Sequence, residues 1–182
     1  VESYRKLMHA AQMENWTSGY TQSELDSAQD RYGLRFPPDL IDLLLDRQPL
    51  NGYNWKGEDK RIREMLAWPM DMLTFDVEHG SWWSDWGERP ATVEDRQKVL
   101  ADVLASAPAL IPLYSHRFIP EVPNAIGNPV FSMHGFDTIY YGSNLENYFD
   151  REFGDNRETA LGKLIRRIPF WSDLAEDRGK RV

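Results

Sequence analysis

The residues of this chain best equipped for recognition lie together between Asp71 and Glu88. Asp71, Asp76, Glu78, Asp85 and Glu88 fall there with no Lys or Arg among them, and Trp82, Trp83 and Trp86 sit between the acids. Carboxylates around exposed indoles suit a basic partner with a groove. The charges speed encounter, and a buried Trp anchor contributes on the order of 2 kcal/mol or more. The expectation is a partner-binding surface built from Asp76, Glu78, Trp82, Trp83, Asp85, Trp86 and Glu88. The competing arrangement folds the tryptophans inward as a cap on the core and leaves the acids as a solvated rim. At least one of the three is expected to do so.

Other chemistry has less to stand on. His9, His79, His116 and His134 are scattered, with no HExxH-type spacing, so no metal is expected. A meeting of His79 and His116 near Asp76 or Asp85 is conceivable, but surface histidines are the better account. Glu146 and Asp150 lie four apart and share a helix face. Paired carboxylates can move protons, yet an exposed charged face explains these two. Ser81, Ser84 and Ser132 have no nucleophile-elbow context. Gly127-Asn128-Pro129 lacks the Gly-Lys-Ser or second glycine of a phosphate loop and reads as a turn. Lys163, Arg166 and Arg167 form the one basic cluster, placed by the sequence near a helix C-terminus, where cations are favoured.

Composition narrows the class. The 182 residues suit one domain and a substantial core. There is no cysteine, which removes disulfides, thiolate zinc sites and cysteine nucleophiles and fits a reducing compartment. The N-terminus carries no apolar run of the signal-peptide kind, and nowhere do about 18 consecutive apolar residues occur. The expected location is the cytoplasm. A net charge of −8 argues against binding to nucleic acid or anionic membrane and is compatible with a basic protein partner. Acidity also serves solubility alone. Seven tryptophans add to the case for an interface, where Trp is enriched.

The elements that must position these residues are read from period and punctuation. Tyr4, Leu7, Met8 and Ala11 indicate an opening amphipathic helix. Thr21-Gln22-Ser23-Glu24 is a capping box for a helix bearing Leu25, Ala28 and Tyr32, closed by Gly33. Pro38 opens a short helix through Leu40, Ile41, Leu44 and Leu45, and Asn51-Gly52 marks a turn. A further helix runs from about Glu58 with Ile62, Met65 and Leu66 on one face, and Pro69 should end or kink it. Leu73, Phe75 and Val77 alternate with Thr74, Asp76 and Glu78, which predicts a strand. Residues His79 to Pro90 form a loop. Thr92 starts a helix with Val93, Val99, Leu100, Val103 and Leu104 on one side. Leu110 to Tyr114 is a strand pushed to an edge or bulge by Pro112. Val130 to Met133 and Thr138 to Tyr141 are two more, joined through His134-Gly135. Leu145, Tyr148 and Phe149 start a helix, and Leu161, Leu164, Ile165 and Ile168 suggest a last one. The charged tail from Asp173 to Val182 should fray. The order predicts an α+β fold, a mostly antiparallel sheet packed by helices in a single domain.

The motifs then assemble into a resemblance. Glu24-Leu25, Tyr32-Gly33-Leu34, Phe36-Pro37-Pro38-Asp39 and Leu43-Leu44 resemble the opening of the SUKH superfamily, the Smi/Knr type of cell-wall regulators and bacterial immunity proteins. Asn51-Gly52 falls where that family turns. Leu110-Ile111-Pro112, Gly127 to Ser132, Asp137 to Gly142, Asn144-Leu145, Tyr148-Phe149 and Glu152-Phe153 look like its sheet strands and following helix. The resemblance runs from about Ser23 to Phe153. The Trp loop and Arg117-Phe118-Ile119-Pro120 look like features of a subgroup. The resemblance implies a non-catalytic α+β domain that works through protein contacts, such as an immunity protein neutralising a toxin, often a nuclease.

The leading expectation is therefore a protein-binding module and not an enzyme, with no cofactor. The alternative is a carbohydrate- or small-metabolite-binding protein that uses the Trp loop as a stacking platform.

Overall fold

The computed structural model describes residues 16–49, 52–153 and 159–182. The expected helix at Tyr4 to Ala11 lies outside them. The chain is α+β, with a two-stranded and a four-stranded antiparallel sheet.

A short strand β1 (Trp16–Ser18) pairs antiparallel with β2 (Arg47–Pro49). Between them lie α1 (Gln22–Tyr32) and α2 (Pro38–Asp46). The capping box forms as read: Thr21 Oγ1 accepts from the Glu24 N–H, and Glu24 Oε2 accepts from the Thr21 N–H at 2.8 Å. Gly33 ends α1 in the left-handed region at φ 67°, where only glycine sits without strain.

Helix α3 (Lys60–Glu78) overturns one expectation. It passes through Pro69 and includes Leu73 to Val77, which the alternation assigned to a strand. Its buried positions are Ile62, Pro69, Leu73 and Val77, a helical spacing. Phe75, the residue that completed the strand pattern, is 54% exposed. Leu73 and Val77 fit either period and Phe75 only that of a strand, and burial selected the helical one. After a loop with a single 3-10 turn (Ser84–Trp86), α4 spans Val93–Ala105, with Thr92 Oγ1 accepting from the Asp95 N–H.

The larger sheet is a meander of β3 (Leu110–Tyr114), β4 (Arg117–Pro120), β5 (Val130–Ser132) and β6 (Ile139–Gly142). Pro112 lies on the edge strand next to an irregularity in register, as its missing N–H requires. Strand β4 was not assigned from sequence. Alternation along these strands divides the core between the two faces of the sheet. Ile111, Ile119 and Val130 join α1, α2 and α5 (Leu145–Phe153). Leu110, Phe118, Phe131 and Met133 join the end of α3, Leu100 of α4 and Trp171 of α6 (Trp171–Glu176). Helix α3 serves both clusters, Ile62 in the first and Leu73 and Val77 in the second.

The C-terminal portion differs from the reading. No helix forms over residues 161–168; Leu164 is 93% exposed, while Ile168 is buried. The tail does not fray. It forms α6 and a 3-10 turn (Arg178–Lys180), and Val182 pairs with Trp82 through two backbone hydrogen bonds. Among the described residues no helix is long and apolar enough to cross a membrane.

Candidate functional site

The Trp loop packs inward. Trp82 and Trp83 are 2% and 3% exposed. The Trp82 Nε1–H donates to the Gly87 carbonyl at 2.8 Å, and Trp83 stacks on Phe136 at 5.8 Å. Trp86 is half-buried between Phe136 and Phe170, at 5.6 and 6.3 Å. This corrects the expectation of exposed anchors. Two of the three indoles cannot reach a partner or stack on a sugar, because the apolar area of a Trp beside an unfilled core is worth most inside it.

The acids divide. Asp76 Oδ2 accepts the Phe136 N–H at 2.7 Å and so ties α3 to the turn before β6. That turn needs Gly135 (φ 61°), since a Cβ there would stand 2.0 Å from the same oxygen. Glu78 pairs with Arg96, whose guanidinium also donates to the Pro90 and Ala91 carbonyls. The Arg96 hydrogen bond holds the Glu78 carboxyl below its usual range. Asp85 pairs with Lys180 at the surface, at 2.7 Å. Asp71 and Glu88 face solvent. Asp76 and Glu78 therefore hold the fold together, and only part of the expected acidic rim is open.

What the structure brings together is a stripe along α3. Glu64, Trp68, Asp71 and Phe75 recur at helical spacing, within about 60° of arc. Glu64, Asp71 and Phe75 are exposed. Trp68 lies half-buried, stacked on His134 at 5.9 Å, with its Nε1–H donated to the Met133 carbonyl. Beyond Phe75, His79 stacks on the phenyl ring at 3.9 Å and bonds the Phe75 carbonyl through Nδ1 at 2.7 Å. The stripe thus alternates carboxylates with aromatic rings. Assigning residues 73–77 to a strand concealed it.

At the Glu64 end the stripe opens into a groove of about 340 Å³. One wall is the loop bearing Gly52 and Tyr53. Another is α3 with Arg61, Glu64 and Met65. Tyr114 and Ser115 of the β3–β4 turn close it. The Tyr53 hydroxyl donates to the Ser115 carbonyl at 3.1 Å, and burial pushes its pKa up to about 12. Ser115 holds that carbonyl in place at φ 50°, a costly conformation for a residue with a Cβ. Three distant segments meet here, so no local sequence signal marks the groove.

Beside the groove, Ser115 Oγ lies 3.0 Å from His116 Nδ1, a pairing the sequence reading did not single out. It is not an activated nucleophile. Arg117 donates to His116 Nε2, which places the imidazole proton on Nδ1 and makes the Ser115 oxygen its acceptor. Burial and then Arg117 lower the His116 pKa, favouring this neutral ring. Arg117 also bonds Ser132 and Glu152 and lies 3.7 Å over the Tyr141 ring. His79 and His116 do not meet; the neighbour of His116 is His134, at 5.9 Å.

The remaining candidates are structural. Gly127 is a turn glycine whose N–H is accepted by the buried Asp39 carboxylate at 3.0 Å. Arg166 donates to Asn128 Oδ1 at 2.6 Å and braces that turn, while Arg167 pairs with Asp173 and Glu176 of α6. Among the described residues no group of three or more His, Asp or Glu could hold a metal ion. Comparison with protein-family models, with curated proteins and with solved structures finds no match to this chain.

Proposed function

We propose that this chain is a non-catalytic protein-binding module that engages a basic partner through the outward stripe of α3. The observation that carries the reading is Phe75, a large aromatic 54% exposed on a rigid helix, with the solvent-facing Asp71 one turn before it. An exposed phenyl ring costs solvation and contributes nothing to the core, whereas beneath a partner it is an anchor. The net charge of −8 supports long-range attraction of a basic protein. The resemblance to SUKH immunity and regulator domains supports the same class of function, such as neutralisation of a toxin in the cytoplasm.

The test is capture of proteins from native lysate by the tagged chain at low and high salt, read by mass spectrometry, in parallel with Phe75→Ala. A basic partner retained at low salt and depleted at high salt is expected. Phe75→Ala should weaken its binding by about thirtyfold, the order of one hot-spot aromatic. A partner held equally by wild type and Phe75→Ala would take the stripe out of the interface.

A further inference from the structure

We infer that the groove at the Glu64 end of α3 receives an alkylammonium group, presented as a lysine side chain of the basic partner; this rests on the protein-binding reading and names a second contact within it.

The charges around the groove decide its sign. Arg61 is already neutralised: its Nε and Nη2 donate to the Asp59 carboxylate at 3.2 and 2.9 Å, and Nη2 also reaches the Gly52 carbonyl at 2.8 Å. Among the described residues Glu64 pairs with Lys60, at 3.1 Å, through side chains 57% and 89% exposed. Such a pair is worth little in water and exchanges readily. The charge a ligand can most readily take over in the groove is therefore the Glu64 carboxylate, by displacing exposed Lys60, and the ligand it selects is a cation.

The rest of the lining fits a cation carried on an aliphatic stem. Tyr114 supplies an aromatic ring whose face attracts ammonium groups, while the Tyr53 ring is already faced by the Arg61 guanidinium at 5.8 Å. Met65 supplies a soft apolar surface for methylenes. Tyr53 stays neutral across the physiological range, and its hydroxyl is committed to the Ser115 carbonyl, which ties the ring to the turn. A volume of about 340 Å³ admits one long side chain and not a folded element. The positive φ of Ser115 is a cost that its surroundings, the Tyr53 hydrogen bond among them, must offset to keep the turn at the groove.

The experiment titrates the full chain with Nα-acetyl-lysine methylamide and, separately, with its norleucine counterpart, which has the stem without the charge. The readout is the NMR shift of the Met65 methyl and of the Tyr53 and Tyr114 rings. Saturable shifts with the lysine amide at roughly millimolar concentration are expected, with little response to norleucine. Glu64→Gln, an exposed change that should leave the melting temperature unaltered, should weaken binding about fivefold. Phe75→Ala should bind the lysine amide as wild type does, whatever it does to partner capture. Equal shifts with both amides, no shift with either, or loss of lysine binding in Phe75→Ala would each overturn the assignment.

Discussion

Trp82 and Val182 exchange both backbone hydrogen bonds, at 2.7 and 2.9 Å, so Arg181 and Val182 form an isolated antiparallel bridge beside the Trp loop. Arg181 strengthens the join through Asp137 and Ser81, and Lys180 through Asp85. The loop that looked most open in sequence is held from both sides.

Deleting Arg181 and Val182 should therefore loosen the loop. The expected result is a fall of several degrees in melting temperature and a red shift of Trp emission as Trp82 meets water. Scanning fluorimetry reads both, and an unchanged spectrum would show that the pairing does not hold the indole in place.

Trp83 and Phe75 should separate stability from recognition. Trp83→Ala removes a buried indole stacked on Phe136 and should cost about 3 kcal/mol or more. Phe75→Ala removes an exposed ring and should change stability by about 0.5 kcal/mol or less. Urea midpoints of the two variants test this, and a similar loss in both would mean that Phe75 is packed in solution.

Glu78 and Arg96 should set an acid-sensitive contribution to stability. The Glu78 pKa is lowered by its Arg96 hydrogen bond, so the native state binds this proton less readily than the unfolded chain. The stabilisation is full above the ordinary glutamate value of 4.5 and is lost as pH falls through the lowered value. Wild type should exceed Glu78→Gln in melting temperature at neutral pH, and the gap should close on acidification below that range. A gap that persists at low pH would assign the effect to packing.

Gly135 and Asp76 should behave as one unit. Gly135→Ala forces a Cβ against Asp76 Oδ2 at a positive φ, at a cost of roughly 2 kcal/mol. Asp76→Ala leaves the Phe136 N–H without its acceptor. In the double variant the clash is absent, so its loss of stability should fall short of the sum of the single losses. Strict additivity in denaturant melts would contradict the contact.

Local grammar was legible wherever neighbours in sequence are neighbours in space. The Thr21–Glu24 box, Gly33, Pro38 at a helix start and Pro112 on an edge strand all act within a turn or a ladder, and all appear in the fold. The misreadings share a cause. Leu73 and Val77 satisfied two periods at once, Phe75 only that of a strand, and the position of the core face decided for the helix. Leu161, Leu164, Ile165 and Ile168 had helical spacing, but the chain buries Ile168 without forming a helix there and leaves Leu164 in water.

By itself, then, the sequence determined an α+β chain with its helix caps, most of its sheet strands, an acidic surface and no cysteine chemistry. The tertiary structure alone decided which aromatic rings and acids are available. Trp82, Trp83, Asp76 and Glu78 are consumed by contacts from Phe136, Arg96 and the Arg181–Val182 bridge, while Phe75 is left outside. Burial is a competition among side chains for a finite interior, and its outcome depends on partners far along the chain that no local pattern contains.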